Sequence, residues 1–136
     1  MNVEQVYEKI HNNNIRVFPC DLKDVKAISI EANNKYGIFI NYDEIKNYDD
    51  EFIVTTHEYG HCMTGSTHPL YSSFDIISRH EYKADRKAIL DFLPIEQVKA
   101  AIEYGCKTSY EFSEFLEVPE QFVVKAFEHY HAMNLI

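Results

Sequence analysis

The chain has 136 residues, of which 46% are hydrophobic, 26% charged and 14% aromatic, with only 4 Gly and 4 Pro. That is the length of one domain, 1–136, and the composition of a globular one, so collagen-like, disordered and low-complexity classes are excluded. The 13 basic and 22 acidic residues leave a formal net charge of −9, which works against a nucleic-acid backbone or an anionic membrane as partner, because both are bound through Lys and Arg. No apolar run approaches the ~20 residues needed to span a bilayer. Met1-Asn2-Val3-Glu4 lacks the basic start and apolar core of a signal peptide. Cys20, Cys62 and Cys106 are odd in number and never form a Cys-x-x-Cys pair. They suggest a cytoplasmic chain with neither a disulfide framework nor a cysteine-type zinc site.

In chain order, Val3, Val6, Tyr7 and Ile10 recur at helical spacing, and Asn12-Asn13-Asn14 offers a stop, so 3–12 reads as a short helix. Two β-rich runs, 25–32 and 35–41, flank Asn33-Asn34 and predict a hairpin. Everything afterwards reads helical. Asp49 or Asp50 is a candidate cap for a helix that carries Phe52, Ile53, Thr56, His57, Gly60 and His61 and stops at Gly65. Residues 66–77 read as a loop, and a second helix spans 79–92 with Ser78 as its cap. Pro94 suits the first position of a third helix, which ends at Gly105. Thr108 and Glu111 match a capping box for a fourth, and Val118-Pro119 opens a fifth that buries Phe122, Val123, Ala126, Phe127 and Tyr130. The expected fold class is α+β, a short hairpin or small sheet on about five to six helices.

His57-Glu58-Tyr59-Gly60-His61 is an H-E-x-x-H string inside a predicted helix. Residues four apart share a helix face, so the two imidazoles can converge on one zinc ion at about 2.0–2.1 Å per bond. Glu58 sits one step round the helix, at the flank of the ion, where a general base is needed. A bound zinc lowers the pKa of water from ~15.7 towards ~7 and leaves a carboxylate beside it to manage the proton. The bland alternative is a polar helix face with two exposed histidines.

Zinc needs a third protein ligand and one open position. The metzincin pattern would place Gly and His where Thr64 and Thr67 stand; Gly65 and His68 each miss by one residue, which leaves His68 as a loop histidine. The better candidate is Glu81, near the start of the next predicted helix, with Asp85 four residues on as the acceptor for the free N–H of a ligating histidine. Both have competing readings. Ser78-Arg79-His80-Glu81 also fits a capping box, and one carboxylate cannot serve both roles. Asp85, followed by Arg86 and Lys87, also fits a solvated surface acid.

Together, His57-Glu58-Tyr59-Gly60-His61, Glu81-Tyr82-Lys83-Ala84-Asp85 and Leu93-Pro94 resemble the ImmA/IrrE metallopeptidases of bacteria and their mobile elements. That family shows H-E-[large apolar]-G-H, then E-x-x-A-[N or D]-x-F-A, then a Met-Pro or Leu-Pro step. The likeness runs over roughly residues 25–130. Lys87 departs from the pattern, standing where the family usually has Phe, while Ala88 keeps the following Ala. The resemblance implies a compact zincin-like domain with His57, His61 and Glu81 on one zinc ion per chain and Glu58 as the catalytic carboxylate. It also implies endopeptidase action on a helix-turn-helix transcriptional repressor of a mobile element, phage or stress regulon. A net charge of −9 is of the sign that attracts a basic repressor. The alternative function is a non-proteolytic zinc-containing protein that sequesters a regulator.

Several further residues have both a functional and a packing reading. The hairpin edge around Ile38 to Ile40 is a candidate for binding substrate as an added strand, although those apolar residues also suit the core. Tyr59, His80 and Tyr82 are candidate donors to an oxyanion, with Tyr59 the most core-like. Gly60 in a helix interior costs ~1 kcal/mol and points to close packing behind the metal. Cys62 reads as a small buried hydrophobe. Two residues apart on one helix, His129 and His131 face different sides and make no metal pair. The segment Phe112 to Tyr130 has the outline of a helix-turn-helix, but Lys125 would be the only base on its second helix before Tyr130.

Overall fold

The computed structural model describes residues 2–67 and 74–136. The chain order is α1 (Val3–Asn12), β1 (Arg16–Pro19), β2 (Ala27–Ala32), β3 (Lys35–Ile40), α2 (Tyr48–Thr64), α3 (Phe74–Phe92), α4 (Ile95–Tyr104), α5 (Ser109–Leu116) and α6 (Glu120–Ala132). A small sheet accompanied by these helices is the α+β architecture expected from the sequence.

The sheet has the order β1-β3-β2. β2 and β3 form the predicted antiparallel hairpin, with Ala32 opposite Lys35. Asn33 and Asn34 make the tight turn in left-handed backbone, at φ 54° and 64°, a conformation Asn tolerates better than most residues. β1 was not expected. It pairs in parallel with β3, Val17 opposite Ile38, so β3 is the central strand. Ile38 and Ile40 are fully buried, which removes them as a substrate-binding edge. Of the hairpin strands, it is β2 that has its outer side unpaired among the described residues.

α1 keeps its expected span, with a capping box between Asn2 and Gln5. The cap of α2 is Asn47 rather than Asp49 or Asp50: its side chain accepts from the Asp50 backbone N–H at 2.9 Å. Asp49, Asp50 and Glu51 then lie in the first turn, where the helix dipole favours acids. Asp50 also takes the Lys26 ammonium at 2.8 Å, which holds its carboxyl below the usual range. Thr108 caps α5 as expected, but Glu111 closes back on the Lys107 N–H at 2.8 Å rather than on that of Thr108.

The largest difference concerns α3, which begins at Phe74 rather than at 79. Ser78 is therefore inside the helix and caps nothing. The competing capping role for Glu81 disappears with it.

α2 runs through the centre, packed against α3, and Phe52 meets Phe92 and Phe122 edge-on at 6.4 and 5.1 Å. Burying each such ring stabilises the fold by roughly 1.5–3 kcal/mol. At Gly60 α2 and α3 are in close backbone contact: a Cβ built on it would lie 2.0 Å from the Ala84 carbonyl oxygen. Lys87 finds a local partner in Asp91 at 3.2 Å, one turn along α3. No described helix is long and apolar enough to cross a membrane.

Candidate metal centre

The close approach at Gly60 sets the site. On α2 it lies between His57 and His61, and Ala84 on α3 lies between Glu81 and Asp85, so the two helices are pinned together beside all four side chains. His57 Nε2 is 2.6 Å from Glu81 Oε2, and His61 Nε2 is 3.0 Å from Glu81 Oε1. The two Nε2 atoms are 3.1 Å apart. Tetrahedral bonds of about 2.0 Å would put donors about 3.3 Å from one another, so this triangle is close to the size of a zinc face. His57, His61 and Glu81 are the metal-capable cluster found among the described residues.

Proton placement makes the case more strongly than distance. His61 Nδ1 is 3.0 Å from the Ser66 carbonyl oxygen. A carbonyl can only accept, so that nitrogen carries the hydrogen. His57 Nδ1 lies 2.7 Å from Asp85 Oδ1, and the same argument applies to a carboxylate. In the neutral rings both Nε2 atoms are therefore acceptors, and they face each other and an acceptor-only carboxylate. Three acceptors at mutual distances of about 3 Å repel unless a proton or a cation lies among them. A divalent ion with N and O preference suits that donor set.

Electrostatics agree. Burial alone would make His57 harder to protonate, but its contacts with Asp85 and Glu81 outweigh this and lift it to about 10. The His57 and His61 rings beside it hold the Glu81 carboxyl far below its ordinary range. Both shifts reflect the carboxylates of Glu81 and Asp85 packed against the imidazoles. Asp85 is desolvated, yet His57 and the Lys125 ammonium, 3.0 Å from Oδ2, keep it ionised.

Glu58 differs from Glu81. It is buried, at 6% exposure, and burial raises its pKa, opposed by the neighbouring His57 and His61 and by a hydrogen bond from Ser29 on β2. Such a group gives up its proton less readily than an exposed carboxylate, as proton transfer near neutrality requires. A cavity of about 470 Å³ lies over the site, bounded by β2 from Ala27 to Ile30, by the three donors and by Glu58.

Compared with known proteins, the chain matches no family model, no curated protein and no solved structure.

The structure thus brings together all five residues singled out in the sequence: His57, Glu58, His61, Glu81 and Asp85. His68 lies outside the described residues. Cys62 is buried, its thiol pushed up to about 12 by burial and by Glu58. Tyr59 is buried with its hydroxyl donated to Asp91, and Tyr82 stacks on His129 at 4.7 Å. His129 is buried and His131 exposed, consistent with their opposite faces.

Ser29, Ser66 and Lys125 join the site without standing out in the sequence. Ser66 had a local signal: Gly65 ends α2 in left-handed backbone at φ 63°. This turn bends the chain back, so the Ser66 N–H reaches the His61 carbonyl at 3.0 Å and its own carbonyl reaches the His61 ring. Lys125 is 40 residues from Asp85, and no local pattern reports that pairing.

Proposed function

We propose that the chain is a zinc-dependent endopeptidase, one zinc ion per chain, with His57, His61 and Glu81 as ligands and Glu58 as general base. The observation that carries this reading is the convergence of His57 Nε2, His61 Nε2 and the Glu81 carboxylate, with both Nδ1 atoms already committed to Asp85 and Ser66. When bound, zinc supplies a Lewis-acid charge that makes water acidic and polarises a carbonyl.

The protein side chains do the rest. Asp85 and the Ser66 carbonyl fix the tautomer and orientation of the two rings. Glu58 takes a proton from the attacking water and delivers it to the departing amine, and its desolvated position holds its basicity nearer to neutrality. The unpaired side of β2, which borders the cavity, offers backbone N–H and C=O groups to an extended substrate segment.

The likeness of three motifs to the ImmA/IrrE metallopeptidases supports a helix-turn-helix repressor as the protein substrate, met in the cytoplasm. A net charge of −9 favours that basic partner and disfavours direct nucleic-acid binding. Incubation of the purified chain with candidate helix-turn-helix repressors tests the reading. Wild type cuts the repressor, while Glu58→Gln keeps zinc and loses roughly 10²–10⁴ in rate. Equal cutting by the variant removes Glu58 as the base. Derepression by Glu58→Gln with an intact repressor would favour sequestration instead.

A further inference from the structure

A second cavity, of about 280 Å³, opens beside the metal centre towards the N-terminal half of α2. His57, Glu58 and Ala27 border both this cavity and the one over the three donors. The two spaces therefore adjoin at the residues that would do the chemistry. Beyond that shared wall the lining is mainly apolar, with Ile53 and Val54 from α2, Ala88 and Ile89 from α3, and Phe122 from α6; Thr56 and Asp85 are its further polar residues.

Two lysines stand at its border, and both are already matched. Lys26 holds Asp50 at 2.8 Å, and Lys125 holds Asp85 at 3.0 Å. An acidic side chain entering here would have to displace a carboxylate from each ammonium, and a basic one would meet two like charges beside an Asp85 carboxylate already shared between His57 and Lys125. An apolar side chain pays neither penalty and covers the remaining wall. Size is also informative, since a cavity of about 150 Å³ already holds benzene.

We infer that this cavity is the specificity pocket for the substrate residue next to the bond that is cut, and that it takes an apolar side chain of Leu, Met or Phe size. The inference rests on the zinc-peptidase reading, to which it adds a sequence preference. A repressor cut by this chain then carries such a residue beside the scissile bond, within a segment extended enough to lie along β2.

Amino-acid hydroxamates test the pocket without any turnover, because the hydroxamate group seeks the metal while the side chain samples its surroundings. The zinc-loaded full chain is titrated calorimetrically with the Gly, Leu, Phe, Asp and Lys hydroxamates. Leu and Phe are expected to bind about 10–100-fold more tightly than Gly, and Asp and Lys no more tightly than Gly. Ile53→Asn, which places an amide in the wall, is expected to reduce the Phe-to-Gly ratio at least threefold. The wild-type ratios decide the matter even if that variant fails to fold. Equal binding of the Gly, Leu and Phe hydroxamates, or preference for a charged one, overturns the pocket while leaving the metal centre intact. A chain that takes up no zinc overturns both.

Discussion

Replacing Gly60 by Ala probes the contact that holds the two ligand-bearing helices together. In an unobstructed helix the change stabilises by about 1 kcal/mol, through helix propensity. Here the new Cβ would sit 2.0 Å from the Ala84 carbonyl oxygen, 2.6 Å from its carbonyl carbon and 2.8 Å from its Cα. All three are backbone atoms of α3, so no side-chain rotation relieves the contact. Restoring an ordinary C···O separation of about 3.3 Å requires α3 to retreat by about 1.3 Å. Overpacking of this kind costs up to about 3 kcal/mol, and subtracting the propensity gain leaves a loss of about 2 kcal/mol. With an unfolding entropy of about 2.1 cal/mol/K per residue, the metal-free chain should melt about 7 °C lower. The same retreat is about two-thirds of a zinc–ligand bond of about 2.0 Å, so zinc affinity should fall at least tenfold. Gly37→Ala is the control, since a Cβ there meets the Phe18 ring at 3.4 Å, an ordinary contact. Calorimetry of the metal-free proteins and a chelator competition for zinc read the two effects separately. A Gly60→Ala chain that melts at or above wild type would refute the reasoning.

Other consequences follow from the same geometry. Asp85→Ala removes the acceptor that orients His57 and should weaken zinc binding 10–100-fold; unchanged affinity would reduce Asp85 to a surface acid. Zinc held at a hundred times its dissociation constant stabilises by about 2.7 kcal/mol, so chelation should lower the melting temperature of the loaded chain by about 9 °C. No shift on chelation would mean that zinc does not bind the folded state preferentially. In the native chain iodoacetamide should modify exposed Cys20 and spare Cys62, which is buried and whose thiol is pushed up to about 12. Mass spectrometry of the peptides decides it, and equal labelling would contradict the packing of α2.

The site was more legible than the elements that build it, for a physical reason. H-E-x-x-H needs only the period of one helix, and that period survives whatever packs around it. Glu81 is ambiguous in the sequence because a capping box is a local pattern, whereas α3 is already helical from Phe74, upstream of it. Asn47 does not stand out as a cap in the sequence because the acids that follow it are also good caps, and only the backbone at Asn47 distinguishes them. β1 escaped because four residues ending in Pro19 carry little alternation, and its parallel pairing with β3 is not a hairpin. That pairing makes β3 the central strand and buries Ile38 and Ile40, while β2 is the strand that borders the cavity. Ser29 and Lys125 reach the site only through tertiary packing. Gly60 was readable as a close-packing residue, but not the identity of its neighbour, Ala84.

The most direct test of the account is the zinc content of the purified chain by elemental mass spectrometry, measured for wild type and for His57→Ala, His61→Ala and Glu81→Ala. The account predicts one zinc per wild-type chain and loss of the tightly held ion in each variant, with the folded state still detectable by circular dichroism. A wild type that retains no zinc, or three variants that retain it as tightly as wild type, would contradict it.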